Sequence, residues 1–500
     1  MLCSILPEKI QRQQIIHLRL LGVFDVPLKS NESLVQYQLH IEKIERFSGK
    51  SCRSLFASIQ DLPWAILLDT SDSRLSNSRF DVITYDPIAA LSYKNKASEV
   101  ISRHAEYQRN LALDCPFAQL QQWHQKFCSD VNFQLSPSLQ ALPFLVGLAG
   151  LFGYDLNMQL DQISDSGSDE YDTADLALGL YSASLIHDNH TATWYYCHVP
   201  ELTDNNWLIP FDTRLPKLAN FSLLSDWQSN MTESDYLHHL ASIDNYLRAG
   251  DCYQINVAQR FSAQYEGAEW QAYIALANAN QAPFSSFIRL PTSCVISVSP
   301  ERFISVKDGE VETKPIKGTA ARDRDPVKDQ AAAEELLASE KNRAENLMIV
   351  DLLRNDLSKH CMIHSVQVPS LFALESYPAV HHLVSTISAK LSPDTHPLDL
   401  LKGAFPGGSI TGAPKRRAMQ IIQDLEPNKR NVYCGSIGYI GLRNDMDTNI
   451  CIRTILAENN TLYCWAGGGI VLDSNAPDEF QESLDKVQKI LPVLAKHASE

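Results

Sequence analysis

The chain has 500 residues, of which 44% are hydrophobic and 20% charged, so it can bury a large core and, by length, form roughly two or three domains. Its 59 acidic and 43 basic side chains give a net charge of −16. That balance argues against nucleic acid or an anionic membrane as the main partner, because both attract basic surfaces.

The cysteines and the apolar runs indicate the compartment. Eleven cysteines occur singly and without a CxxC pair, which favours neither a disulfide framework nor a zinc site and is typical of a reducing, cytosolic protein. No apolar run approaches the roughly 18 residues of a membrane helix, and the amino terminus lacks the apolar segment of a signal peptide. We therefore expect a soluble, cytoplasmic protein with no membrane partner.

Three regions follow one another along the chain. Residues 1–50 are poorly patterned, and we expect them to form a loosely attached extension. Residues 51–225 alternate short apolar runs with polar turns, as strands do. Residues 230–495 hold strands and helices in mixed order, which favours an α+β architecture over a repeating βαβ winding.

The start of the third region predicts a helix followed by a strand. Ser229 or Thr232 can cap the helix, and Gly250 ends it before the strand-like segment YQINVAQRF. Apolar residues spaced by three and four supply its buried face: Tyr236, Leu240, Ile243 and Leu247.

A glycine-rich segment, GGSITGAPKRR at residues 407–417, precedes another predicted helix. It is not a nucleotide-binding phosphate loop, because Ala413 and Pro414 separate the glycine from Lys415. Two interpretations are open from this segment alone: a plain helix start, or a helix start whose free N–H groups bind an anion such as a carboxylate.

Two further predicted helices carry carboxylates. In AENLMIVDLLRND, Glu345 lies next to a core-facing stripe that we expect to contain Leu347, Val350 (or Ile349), Leu353 and Leu357. In DEFQESLDKVQKIL, Glu479, Glu482 and Lys486 form a stripe by their spacing of three and four. Such a stripe is either a solvated face with one Glu–Lys pair or part of a Mg²⁺ site, which takes one or two carboxylates from the protein.

Two lysines flank a proline in TKPIKGT, residues 313–319. Pro315 disfavours helix, so the segment is predicted to be extended, with Lys317 on one face and Lys314 on the other. The spacing alone is also explained by a structural interpretation, in which one lysine is solvated and the other caps a strand.

Together these segments resemble the chorismate-utilising enzymes, a family that includes anthranilate synthase component I and the isochorismate and salicylate synthases. The resemblance rests on motifs in the family's order: SPERF, KPIKGT, AENLMIVDLLRND, FPGGSITGAPK, YCGSIGY, CIRT, AGGGIV and EFQESLDK. It is close over residues 230–492 and looser from about residue 60. The resemblance implies an α+β body like that of anthranilate synthase component I, with two large antiparallel sheets packed face to face and helices outside.

Motif by motif, the resemblance implies roles for particular residues. It makes Lys317 the nucleophile and Glu301 the general acid and base. It makes Glu345 and Glu482 the ligands of Mg²⁺, with Glu479 as a further candidate metal residue. The residues that hold chorismate correspond to Tyr433, Arg453, Lys486, Ser409, His382 and the backbone of Gly467, Gly468 and Gly469.

The chemistry of chorismate explains why such residues are needed. Its C4 hydroxyl is a poor leaving group, which a protonated Glu301 can assist, provided the carboxyl has a raised pKa. Unprotonated Lys317 can attack C2, after which ammonia adds at C4 and expels the lysine. Within the family, the lysine of PIKGT is typical of the branch that makes 4-amino-4-deoxychorismate for 4-aminobenzoate and folate, whereas anthranilate synthases typically carry alanine there.

The resemblance also implies partners. The chain has no glutaminase signature, so we expect a separate glutamine amidotransferase subunit to supply ammonia within a heterodimer. Segments similar to a tryptophan pocket of some relatives comprise Leu68, Asp69 and Thr70, with Pro283 and Phe284.

Two competing interpretations are open. The chain could be another synthase of the family, an anthranilate or isochorismate synthase, or it could be a scaffold subunit that binds chorismate without turnover. The presence of Lys317 argues against an anthranilate synthase and against a scaffold subunit.

Overall fold

Two large antiparallel sheets carry most of the strands in the computed structural model, which describes residues 36–71, 79–110, 115–157, 163, 168–212, 219–377 and 380–497. The first 35 residues of the predicted extension lie outside the described residues. The described residues from Gln38 onward form one compact unit. No helix in the described ranges is long and apolar enough to cross a bilayer.

The first sheet has 13 strands. From one edge to the other they are Ser222–Leu223, Gln254–Glu266, Thr461–Ile470, Thr454–Glu458, Ser293–Ser299, Phe284–Arg289, Ile66–Asp69, Phe80–Thr84, Ala183–Asp188, Thr193–His198 and His40–Lys43. Two short strands, Gln228–Ser229 and Gly412–Ala413, also pair with Gln254–Glu266. Strands from before and after residue 230 therefore share this sheet.

The second sheet has 11 strands. In spatial order they are Ile316–Ala321, Val380–Lys390, Glu310–Thr313, Arg302–Lys307, Met446–Asn449, Ser436–Gly441, Gly147–Phe152, Leu176–Tyr181, Ala89–Lys94 and Ala97–Ser102, with Gln367–Ser376 paired to Val380–Lys390. Hydrogen bonds link the two sheets: the Tyr181 hydroxyl donates to the carbonyl of Trp64 at 2.9 Å, and the Asn449 amide donates to that of Phe284 at 3.0 Å. Two-residue strands also lie at Tyr37–Gln38 and Val131–Asn132.

Ten α-helices occur in the described residues. They are α1 (Cys52–Phe56), α2 (Pro116–Asp130), α3 (Glu233–Ala249), α4 (Glu269–Asn280), α5 (Pro326–Ala338), α6 (Glu340–Ser358), α7 (Pro397–Ala404), α8 (Lys415–Leu425), α9 (Ala476–Asp485) and α10 (Leu491–His497). Residues of α3 and α8 share a buried apolar cluster with the strand Gln254–Glu266, so helices cover a face of the first sheet. The α+β fold with two large antiparallel sheets is confirmed.

The helix predicted after residue 229 forms as the sequence indicates. Thr232 caps α3 in a reciprocal box with Asp235, and Gly250 ends the helix in the left-handed conformation at φ 79°. All four predicted apolar residues of its inner face are buried. Capping residues and apolar spacing therefore place this helix, and the strand Gln254–Glu266 follows it.

Two helix predictions need correction. Leu347 of α6 is 45% exposed, whereas Ile349, Val350, Leu353 and Leu357 are buried. DEFQESLDKVQKIL, residues 478–491, is predicted to be one helix, but α9 ends at Asp485 and α10 begins at Leu491. Leu347 lies outside the buried stripe of α6, and periodicity alone cannot tell which of two adjacent apolar stripes is covered.

The division of the chain at residues 51–225 and 230–495 stays a prediction. The described residues show one local departure from it: His40–Lys43, inside the predicted extension, forms the edge strand of the first sheet.

Candidate active site

Lys317 lies enclosed near the end of the second sheet. Its side chain is 12% exposed, and its Nζ is 3.9 Å from a carboxylate oxygen of Glu345 on α6. Burial lowers the pKa of Lys317, and the positive charge of Lys486 lowers it further, while Glu345 opposes both. Because the neutral amine is the nucleophilic form, this environment favours reaction at Nζ.

Lys314 occupies a different surface. Its Nζ pairs with Glu375 at 3.2 Å, and its side chain is 27% exposed. The expectation that the two lysines of TKPIKGT point apart agrees with their different partners.

Glu301 is a second group whose charge is disfavoured by burial. It is 5% exposed, and the Ser409 hydroxyl donates to its Oε1 at 3.1 Å. Burial raises the pKa of Glu301 to about 7, although the hydrogen bond from Ser409 and the charges of Lys317 and Arg453 act in the opposite direction. The carboxyl is therefore partly protonated at neutral pH, as a general acid must be.

The three carboxylates predicted to bind metal each face a lysine. Glu345 lies near Lys317. Glu479, which is 3% exposed, pairs with Lys341 at 3.1 Å. Glu482 pairs with Lys486 at 2.7 Å, so the Glu–Lys pair of the simpler interpretation does form.

Gly468 leaves space beside two of these carboxylates. A methyl group on the Cα of Gly468 would lie 3.3 Å from an oxygen of Glu479 and 3.8 Å from an oxygen of Glu482. Burial raises the pKa of Glu345, and Glu479 and Glu482 raise it further. Carboxylate oxygens on α6 and α9 are the ligand type that a hard divalent cation takes, and such a cation would relieve the repulsion between these carboxylates.

Arg453 offers a cation without a carboxylate partner. Among the residues that the structure describes, no carboxylate oxygen lies within 4.0 Å of its guanidinium, whose pKa is lowered by burial despite the charge of Glu301. The backbone of Arg453 is in the left-handed region at φ 53°. A buried cation of this kind is suited to binding an anionic ligand.

The remaining predicted residues surround this cluster at different distances. Lys486 donates to the carbonyl of Gly467 at 2.8 Å, and a methyl group on Gly469 would lie 3.2 Å from the Nζ of Lys317. His382 lies 2.9 Å from the Thr319 hydroxyl, and burial lowers its pKa to about 4, so its ring is neutral at pH 7.

Tyr433 reaches the cluster only indirectly. Its ring is parallel to that of Trp465 at 6.1 Å, and the amide of the next residue, Cys434, donates to Cys451, two positions before Arg453.

Gln254 belongs to the same cluster, although its sequence context gave no reason to select it. It is fully buried, and neither atom of its amide has a hydrogen-bond partner among the described residues. Its Nε2 would be 2.8 Å from a methyl group on Gly469, on the same side as Lys317. An unpaired buried amide is unusual, and only the three-dimensional structure reveals that it lies beside the reactive amine.

All five residues predicted for a tryptophan pocket line one cavity of about 550 Å³ between the two sheets. They are Leu68, Asp69, Thr70, Pro283 and Phe284. Asp69 is already engaged there, because it accepts hydrogen bonds of 2.6 Å from both Arg53 and Tyr273. Arg302, also in the lining, lies over the ring of Phe284 at 5.1 Å.

The sequence profile of the chorismate binding enzyme family matches residues 74–492. Aminodeoxychorismate synthase component 1 of Salmonella typhimurium is 46% identical over 87% of this chain and 94% of its own length. The protein of the same name from Escherichia coli is 45% identical over 88% and 95%. In structure, anthranilate synthase component I from Streptococcus pneumoniae matches with a TM-score of 0.69 and 30% identity, over 83% of this chain and 92% of that chain.

The chain therefore belongs to the chorismate-binding enzymes. Within that family, relatives that share 45–46% of its residues over most of both chains are named aminodeoxychorismate synthase component 1. The resemblance inferred from the motifs is confirmed.

The two buried glutamines of the strand Gln254–Glu266 give a matched test of the unpaired amide. We expect Gln254→Met to raise the free energy of unfolding, because it removes a desolvated amide that costs about 1–3 kcal/mol. Gln259→Met should lower it by a similar amount, because Gln259 bonds to Ser483 at 2.7 Å and to Ser229 at 2.8 Å. Urea denaturation measures both, and equal destabilisation by the two substitutions would contradict this interpretation of Gln254.

Proposed function

We propose that this chain converts chorismate and ammonia to 4-amino-4-deoxychorismate through a covalent intermediate on Lys317. The observation that carries the proposal is the enclosed Nζ of Lys317, whose pKa is lowered by burial and whose charge interacts with that of the buried, partly protonated Glu301. An amine that is neutral beside an acid that is protonated is the combination that nucleophilic substitution at chorismate needs.

Binding of the substrate would rest on its two carboxylates. Arg453, which has no carboxylate partner among the described residues, can hold one of them with two hydrogen bonds. Lys486, whose Nζ donates to the carbonyl of Gly467, can hold the other. The unpaired amide of Gln254 provides a further donor and acceptor beside Lys317.

The proposed steps balance as follows. The Nζ of Lys317 forms a bond to C2, both double bonds of the ring shift by one position, and the C4–oxygen bond breaks, while Glu301 gives its proton to the departing hydroxyl as water. Ammonia then bonds to C4, both double bonds shift back, and the C2–nitrogen bond to Lys317 breaks. Glu301, now ionised, accepts a proton from the added nitrogen, so the net reaction exchanges hydroxyl for amine and retains the enolpyruvyl group.

We propose Mg²⁺ as the cofactor, held by Glu345 and Glu482, with Glu479 beside them. When bound, the ion supplies positive charge to a substrate carboxylate. The residues fit such an ion because Glu479 and Glu482 both approach Gly468 and their charges act on Glu345. Lys341 and Lys486, which now pair with Glu479 and Glu482, stabilise the acidic cluster in the absence of the ion.

Removal of a metal carboxylate should abolish turnover. We expect Glu345→Gln or Glu482→Gln to reduce kcat/KM by at least about a hundredfold and to weaken chorismate binding, because each removes a charged oxygen from the cation site. Glu340→Gln, at the exposed start of α6, is the matched control and should behave like the wild type. Undiminished activity after chelation of divalent metal would contradict the assignment.

The two lysines of TKPIKGT provide the most specific test of the nucleophile. Lys317→Ala should leave chorismate binding largely intact and reduce formation of 4-amino-4-deoxychorismate by at least about a thousandfold, since covalent assistance is lost. The vacated space beside C2 should allow slow attack there by ammonia or water, giving anthranilate-like or isochorismate-like products. Steady-state kinetics with separation of products by mass checks both expectations.

Lys314→Ala is the control for that experiment, because Lys314 pairs with Glu375 away from Glu301. Equal damage from the two substitutions would assign the chemistry to another group. The product of the wild type also separates this proposal from anthranilate synthase and isochorismate synthase activity, and the absence of any turnover would favour a scaffold subunit.

The source of ammonia is the second part of the proposal. We infer that a glutamine amidotransferase subunit binds this chain as a heterodimer, because the relatives of this chain are named as component 1 and its own sequence has no glutaminase signature. The transfer of an amino group to chorismate would then be shared between two subunits.

The isolated chain should therefore use ammonium but not glutamine. Purified chain with chorismate, Mg²⁺ and ammonium should form 4-amino-4-deoxychorismate, whereas replacing ammonium by glutamine should give no product above background. Turnover with glutamine by the single chain would refute the need for a partner.

Tryptophan is proposed as a ligand of the second cavity. The 550 Å³ volume and the apolar ring of Phe284 suit an indole. Measurements of the turnover rate and of the stability of the protein, each with tryptophan present, decide whether bound tryptophan changes the rate or only the stability.

A further inference from the structure

A second cluster of potential metal ligands lies at the far edge of the first sheet, on elements that carry no residue of the candidate active site. His40 and Glu42 are two positions apart on the edge strand His40–Lys43, so their side chains share one face. His198 ends the neighbouring strand Thr193–His198 and lies directly opposite His40 in the antiparallel register. Three potential ligands from two strands therefore meet on one face.

The distances between their ligand atoms suit a single ion. One nitrogen of each histidine and one oxygen of Glu42 all lie within 4.8 Å of one another. The Nε2 of His198 is 3.4 Å from the carboxylate of Glu42, and the two imidazole rings are 5.7 Å apart between centroids. Among the described residues, this is the one group of three such side chains that meets that distance limit.

The surroundings hold one ring of the cluster in a fixed plane. The imidazole of His198 stacks on the ring of Tyr196 at 4.2 Å with an angle of 9°, and Tyr196 stacks in turn on Trp207. The side chain of His198 is 15% exposed, whereas that of Glu42 is 60% exposed. One ligand is therefore preorganised, and the other two have room to adjust around an ion.

We propose that His40, Glu42 and His198 form a binding site for a transition-metal ion of the zinc class. Two imidazoles and one carboxylate are a ligand set that Zn²⁺ accepts with water in the fourth position. Mg²⁺ prefers oxygen ligands, so this site and the carboxylates near Gly468 would select different ions.

Binding would have a structural consequence at the edge of the sheet. The strand His40–Lys43 has one neighbour in the described strand order, Thr193–His198. An ion shared between the two strands would cross-link them and would resist opening of an edge that is otherwise held by four registered residue pairs.

Zinc titration of the full-length chain, without an affinity tag, tests the proposal. The protein is stripped with a chelator, dialysed into buffer with Mg²⁺ and titrated with Zn²⁺ by calorimetry. We expect one equivalent of zinc to bind to the wild type, and His40→Ala, Glu42→Gln and His198→Asn each to weaken that binding by at least about tenfold. Zinc should also slow hydrogen exchange of the backbone amides in His40–Lys43.

Controls separate this site from the cysteines and from other histidines. His190→Ala changes an exposed histidine outside the cluster and should leave the zinc affinity unchanged. His40→Ala alters only an exposed side chain, so its melting temperature without zinc should equal that of the wild type and should no longer rise when zinc is added. Absence of zinc binding by the wild type, or equal binding by the double variant His40→Ala/His198→Asn, would overturn the proposal.

Discussion

The enclosure of one lysine amine among acidic groups is the constraint on which the rest of the site depends. Burial disfavours charge on an amine and on a carboxyl alike, so it lowers the pKa of Lys317 and raises that of Glu301 to about 7. Both groups are thereby moved towards their neutral forms at the same pH. A neutral nucleophile beside a protonated acid is unstable in water, where proton transfer would charge both, and it requires a pocket that excludes solvent.

That requirement explains why distant parts of the chain are brought together. The lysine comes from an end strand of the second sheet, and the facing carboxylate comes from α6. Gly469, on a strand of the first sheet, lies beside the lysine, and a side chain there would collide with Gln254 and contact Lys317. The site therefore forms only where both sheets and a helix outside them meet, which is consistent with the single compact unit of the described residues from Gln38 onward.

Much of this arrangement could be predicted from the sequence, but for two different reasons. Thr232, Gly250 and the apolar spacing between them define α3 through local physics, and the helix forms as expected. The roles of Arg453 and Glu301 came from motif resemblance, since neither the periodicity nor the composition around them indicates a site. Two features that depend on tertiary contacts were not predicted: the exposure of Leu347 and the unpaired amide of Gln254. Both depend on which distant residues cover the side chain, and the local sequence does not indicate this. Of the three lysine–carboxylate pairs, only the pair of Glu482 with Lys486 was predicted, because these two residues are four positions apart.

The covalent bond to Lys317 is the central claim, and mass spectrometry of the intact wild-type chain tests it most directly. The chain is mixed with chorismate and Mg²⁺ without ammonium, quenched within milliseconds to seconds, and weighed. We predict a species heavier by one chorismate minus one water, and peptide mapping should place the added mass on Lys317. Turnover with ammonium in the absence of any such species, or an adduct on a different residue, would contradict the mechanism.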